Sequence, residues 1–145
     1  GKKTAFFYII SQIIGSILAG YFLKFTIGNY ANIGANLPLL KSDFNYLLSF
    51  FTEFILSALL AVVIIRVAYI EKLSLNFLAI SCGLLVCVEV IVFGAITGAA
   101  MNPIRAIGPH FAANFPGGLW IYILGPTLGF LVVAEVYVFY VKKNK

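Results

Sequence analysis

Four stretches of this sequence, at about 4–23, 46–67, 75–95 and 119–141, are nearly free of charge through their middles. Each is roughly 20 residues long, the length a helix needs to cross about 30 Å of hydrocarbon at about 1.5 Å per residue. A chain with four such runs is an all-α membrane protein, with the lipid bilayer as its first partner. Composition agrees: 62% of residues are hydrophobic and 10% charged, and mean hydropathy is +1.04, far from soluble domains. The net charge of +5 does not point to nucleic acid, because the basic residues sit at the ends of the apolar runs and not in a patch interleaved with aromatics. Cys82 and Cys87 fall inside one run and read as small buried apolar side chains, not as a disulfide or a metal site.

The first run carries a ladder of small residues, Ser11, Gly15 and Ala19 with Ser16 and Gly20 beside it, which predicts a face packed closely on another helix. Residues 24–45 contain Gly28, Asn29, Asn32, Gly34, Asn36, Pro38 and Asp43 with no apolar period, and read as an exposed loop. The second run holds Glu53, and Arg66, Glu71, Lys72 and Ser74 form a short polar connection to the third, which holds Glu89. The fourth opens on Trp120 and Tyr122, contains Glu135 and a Gly125-x-x-x-Gly129 step suited to close helix packing, and ends at Lys142, Lys143, Asn144 and Lys145.

Between the third and fourth runs, residues 97–111 are too short and polar to span and too apolar for an ordinary loop. A segment that dips into the membrane and returns on the same side fits both facts. The four spans then alternate and place both termini on one side, with the connection between spans two and three. Lys2, Lys3, Arg66, Lys72, Lys142, Lys143 and Lys145 fall on that side, against Lys24 and Lys41 opposite, so the positive-inside rule puts both termini in the cytoplasm.

Asn102-Pro103 has the form of a helix start: Asn is a strong N-cap, and Pro at the first helical position lacks only an N–H that would go unpaired anyway. A helix begun at mid-membrane would turn the positive end of its dipole toward the bilayer centre, disfavouring cations and protons. Arg105, one turn on, is expensive at that depth unless it faces water, which suggests a pore lining; by themselves, an Asn-Pro dipeptide is a weak turn signal and an arginine near a span end can snorkel.

The longer pattern is more specific. Thr97-Gly98-x-x-x-Asn102-Pro103-x-Arg105-x-x-Gly108-Pro109, followed by Trp120-x-Tyr122-x-x-Gly125-Pro126-x-x-Gly129, resembles the second signature loop and last helix of the major intrinsic protein (aquaporin) family. Tyr8-x-x-x-Gln12-x-x-Gly15-Ser16 is similar to the family's third helix, Glu53-Phe54 to its fourth, and the third run to its fifth.

The resemblance implies a right-handed helical bundle. Here it would comprise four transmembrane helices and one re-entrant half-helix at about 96–113: the second inverted repeat with the last helix of the first. A chain that starts at Gly1 and holds one of two repeats is expected to be a fragment, and one copy would not enclose the family's pore. The implied activity is a passive channel for water and small uncharged solutes, homotetrameric when full length, with no cofactor.

By the same resemblance, Asn102, with Pro103 behind it, supplies the central donor and Arg105 the filter cation. Val90 and Ala99, twelve and three residues before Asn102, are further filter positions. Glu53 is implied as the buried acceptor fixing the carbonyl-lined pore loop, with Gln12 giving similar polar support and Thr97 and Gly98 counted among the residues that support the loop. Small groups at Val90 and Ala99, where water-selective members generally carry His at the first, imply a wider aperture. That combination, and Gly108-Pro109-x-x-Ala112-Ala113-Asn114, are similar to plant nodulin-like intrinsic proteins, implying glycerol, small amides, undissociated acids or metalloid hydroxides as solutes. Ile104 in place of the usual Ala, Ala106 where glycerol facilitators carry Asp, and Ile123 in place of an aromatic are departures.

Glu89 and Glu135 read either as functional membrane acids or as groups facing a neighbouring helix or subunit, the latter favoured for both. For Glu89 the reason is that adjacent helix residues diverge by about 100°. His110 reads as a packing or capping group more than as a pH sensor. Competing functions are a non-conducting truncated paralogue assembling with full-length subunits, a secondary transporter and a membrane enzyme. Against the transporter stands the lack of an obvious carboxylate pair; against the enzyme, a single His and no H-E-x-x-H, G-x-S-x-G or phosphate loop.

Overall fold

Residues 1–39 and 41–143 are described by the computed structural model, so Asn144 and Lys145 of the basic tail lie outside the described residues. Five helices account for most of it: α1 (Lys2–Ile27), α2 (Asp43–Ile64), α3 (Leu75–Thr97), α4 (Pro103–Ala112) and α5 (Leu119–Lys143). Helix α2 runs on through a π-helical turn, Ile65–Ile70, where Arg66 pairs with Glu71. With that extension, α1, α2, α3 and α5 are four helices long and apolar enough to cross a membrane. The chain is a multi-pass membrane protein.

Helix boundaries follow local chemistry. Ser42 caps α2 by accepting from the Asn45 N–H, and Ser74 caps α3 by accepting from the Phe77 N–H. Helix α3 ends at Gly98, whose φ of 83° is a left-handed terminus suited to a residue without Cβ. Asn102 caps α4, its Oδ1 accepting from the Ile104 N–H at 3.0 Å, with Pro103 at the first position, as the Asn-Pro pair predicts.

Helices α2 and α5 pack closely because glycine removes the intervening Cβ atoms. One added at Gly125 would lie 3.1 Å from the Glu53 Cβ, and one at Gly129 would run into the Phe54 carbonyl. The small-residue ladder of α1 is only half used: Ser16 and Gly20 meet α4, whereas Ser11 and Ala19 are exposed and Gly15 has nothing around it. Two expectations need correction. Residues 24–45 are not a uniformly exposed loop: 24–27 continue α1, then the chain makes a left-handed turn at Ala31, Asn32 and Ile33, and Ile33, Asn36 and Pro38 are buried against the rest of the fold. Lys24 is drawn in too, its amine donating to the Ala112 carbonyl at the end of α4. The two cysteines are free and not buried; Cys87 lies exposed on α3, whose surface is mostly open.

Candidate functional site

The segment between α3 and α4 takes an irregular path, with φ of 44° at Ala99 and 52° at Met101, a region that costs an L-residue about 1 kcal/mol or more. Glu53, fully buried on α2, offsets that strain. Its Oε1 accepts from the Thr97 hydroxyl at 2.8 Å and the Ala100 N–H at 2.9 Å, and its Oε2 accepts from the Met101 N–H at 2.8 Å. All three partners are donors, which is what a carboxylate can take. Thr97 closes the turn by accepting from the Ala99 N–H at 3.0 Å. The loop is thus held from behind by Glu53 and Thr97, and its next residue is the cap of α4.

Arg105 lies one turn into α4, open to solvent space on one side and tied on the other. Its Nη1 donates to the Gly34 carbonyl at 3.0 Å and to the Asn36 Oδ1. Asn36 in turn donates from Nδ2 to the Gly98 carbonyl at 2.8 Å, so one buried amide joins the guanidinium to the start of the loop. Val90, Ala99, Asn102 and Arg105 meet, with Leu60 and Val86, around an open cavity of about 340 Å³. A second cleft of about 490 Å³, lined by Gln12, Ser16, Ala19 and Leu23, also reaches Asn102 and Arg105. The Asn102 Oδ1 is used by its cap, and no described residue accepts from its amide, which leaves that group able to donate to a solute.

A family model described as "Major intrinsic protein" matches residues 1–137. The chain belongs to the major intrinsic protein family. Among curated relatives of this major intrinsic protein, nodulin-26 of Glycine max is 36% identical over 131 residues, covering 90% of the chain and 47% of the relative. Aquaporin NIP3-1 of Oryza sativa subsp. japonica is 35% identical over 130 residues, with 90% and 41% covered. Aquaporin NIP1-2 of Arabidopsis thaliana is 36% identical over 135 residues, with 90% and 46% covered. The chain therefore spans less than half the length of these relatives.

Of the site residues read from the sequence, Glu53, Thr97 and Gly98 meet at the loop, and Val90, Ala99, Asn102 and Arg105 meet at the cavity, with Pro103 behind the cap. Gln12 does not support the loop: it is exposed on the rim of the second cleft and makes no hydrogen bond among the described residues. The loop's second anchor is Asn36, which sequence reasoning missed. It lies among several asparagines in a stretch with no period, and nothing in the sequence distinguishes it from Asn29, which caps nothing with its side chain. In this major intrinsic protein, Asn36→Ala is expected to cost about 2 kcal/mol by stripping partners from the part-buried Gly98 carbonyl and a guanidinium. Unfolding midpoints in detergent check this, with Asn29→Ala as the neutral control.

Glu89 is 3% exposed and neither carboxyl oxygen has a hydrogen-bond partner among the described residues, whereas the adjacent Val90 faces the cavity, as the divergence of neighbouring helix positions requires. Glu135 is exposed on α5. His110 is fully buried, its ring nitrogens 2.9 Å from the Ala106 carbonyl and 3.2 Å from the Gly117 carbonyl, and it packs on Tyr122.

Proposed function

We propose that the protein forms a passive transmembrane channel for water and small uncharged solutes, and is not an enzyme. The observation that carries the proposal is the meeting of an Asn-capped helix start, a tethered arginine and two small apolar side chains around one cavity. In this reading α4 is a half-helix starting at mid-membrane, its dipole and Arg105 repel cations, and Asn102 and the loop carbonyls replace part of a solute's hydration. Val90 and Ala99 leave an aperture that admits molecules of several heavy atoms: glycerol, small amides, undissociated acids or metalloid hydroxides. The names of the nodulin-26 and aquaporin relatives support a pore of this kind.

The lysine and arginine distribution supports cytoplasmic termini, and the family resemblance supports a homotetramer of the full-length protein. Stopped-flow light scattering of liposomes holding the full-length protein tests the function. Glycerol and water flux without ion current is the expected result; absence of any solute flux from a folded preparation would falsify the channel reading and leave the non-conducting paralogue. Val90→His narrows the aperture and adds a donor, so the water-to-glycerol permeability ratio rises by about tenfold, a barrier difference of about 1.4 kcal/mol. An unchanged ratio would remove Val90 from the solute path.

A further inference from the structure

We infer that Ser16 is a positioning residue of the pore, its hydroxyl fixing the aim of the turn that carries Asn102 and Arg105; this rests on the channel reading above. The hydroxyl straddles one rung of the α4 hydrogen-bond ladder. It donates to the Ile104 carbonyl at 2.6 Å and accepts from the Gly108 N–H at 2.9 Å, so a side chain of α1 is bonded to both members of an i, i+4 pair of another helix. The next rung does not exist, because Pro109 has no N–H to offer the Arg105 carbonyl. Proline and an inserted side chain are each established causes of helix bending, and here both act within one turn.

That turn separates two differently anchored parts of α4. The far part is tied by Lys24 to the Ala112 carbonyl at 2.7 Å and by His110 to the Gly117 carbonyl at 3.2 Å. The near part carries Asn102 and Arg105, the latter held sideways by Gly34 and Asn36. With the ladder weak between them, the angle of the near part is set by what bonds to the 104–108 rung, and that is Ser16. The glycines match this arrangement: a Cβ at Gly20 would lie 2.6 Å from the Gly108 carbonyl oxygen, and one at Gly108 would run into the Ser16 carbonyl and hydroxyl. Ser16 makes no bond to the loop or to Arg105; its leverage on the pore passes through the backbone of α4.

The test uses Ser16→Ala and Ser16→Thr in the full-length protein, read by glycerol and water flux and by amide hydrogen exchange. Ser16→Ala is expected to change the glycerol-to-water ratio by about threefold or more and to speed exchange at Gly108 by about fivefold relative to Ala112, as the loss of a hydrogen bond of about 1 kcal/mol implies. Ser16→Thr keeps the hydroxyl and the wild-type values. A purely structural role would lower both fluxes in proportion to the folded fraction and leave their ratio alone; that outcome, or unchanged exchange at Gly108, overturns the inference. If Ser16→Ala does not assemble, Ser16→Cys, close in volume with a weaker hydrogen bond, is read by the same criteria. A wild-type protein that conducts nothing sinks the channel reading, and the exchange data still decide whether Ser16 sets the rung.

Discussion

Glu53→Gln lowers the stability of the folded protein by about 3 kcal/mol, measured as a fall in its unfolding midpoint in detergent. The size follows from the donor pattern. An amide has one acceptor atom where the loop presents donors to two, and whichever way it turns, the N–H of Ala100 or of Met101 faces an NH2 group. A buried N–H without a partner costs about 1–3 kcal/mol, and the bonds that remain lose their charged acceptor. The loop has little to fall back on, since Ala99 and Met101 already occupy left-handed backbone and Glu53 is the group offsetting that strain. Water flux through the variant should fall with the folded fraction or beyond it. A midpoint within experimental error of wild type would show that the carboxylate is dispensable and that the loop is held by Thr97 and Asn36.

Arg105→Val is expected to turn a neutral-solute channel into one that leaks cations or protons, with an increase in ion conductance of about tenfold or more, equivalent to about 1.4 kcal/mol off the electrostatic barrier. Valine removes the fixed positive charge beside the α4 N-terminus and empties the space that the guanidinium occupies between the cavity and the Gly34 and Asn36 anchors. Stability should change less than in Glu53→Gln, because Asn36 keeps its bond to the Gly98 carbonyl and the released Gly34 carbonyl lies on an exposed residue. The measurement is proton and potassium flux into liposomes, with glycerol flux as the control for folded protein. Conducting protein with unaltered ion exclusion would take Arg105 out of the filter.

Much of this molecule was legible because the relevant signals are local. Span length is a count of apolar residues, and the start of α4 is a cap and a proline side by side. The acceptor role of Glu53 came from the family resemblance of the Glu53-Phe54 pair, and the fold places its carboxylate against the loop. Val90 and Ala99 were placed by the family resemblance, counting back from Asn102, and the fold brings both to the cavity with it.

What stayed hidden depended on long-range contacts. Asn36 bonds to a carbonyl 62 residues away and Ser16 to an amide 92 residues away, separations over which no periodic pattern carries information. Gln12 sits on the same helix as Ser16, yet only the rotation of α1 on α4 determines that the serine enters the ladder and the glutamine stays at the rim. The exposure of Cys87 and the burial of Ile33, Asn36 and Pro38 were decided in the same way, by which faces found partners. The sequence alone determined that this chain needs a membrane, that a helix starts at Asn102-Pro103, and that polar groups inside a bilayer would be forced into pairs. Tertiary structure alone decided which groups those pairs contain, because an unpaired polar group in an apolar interior takes whatever partner the packing of distant helices brings within about 3 Å.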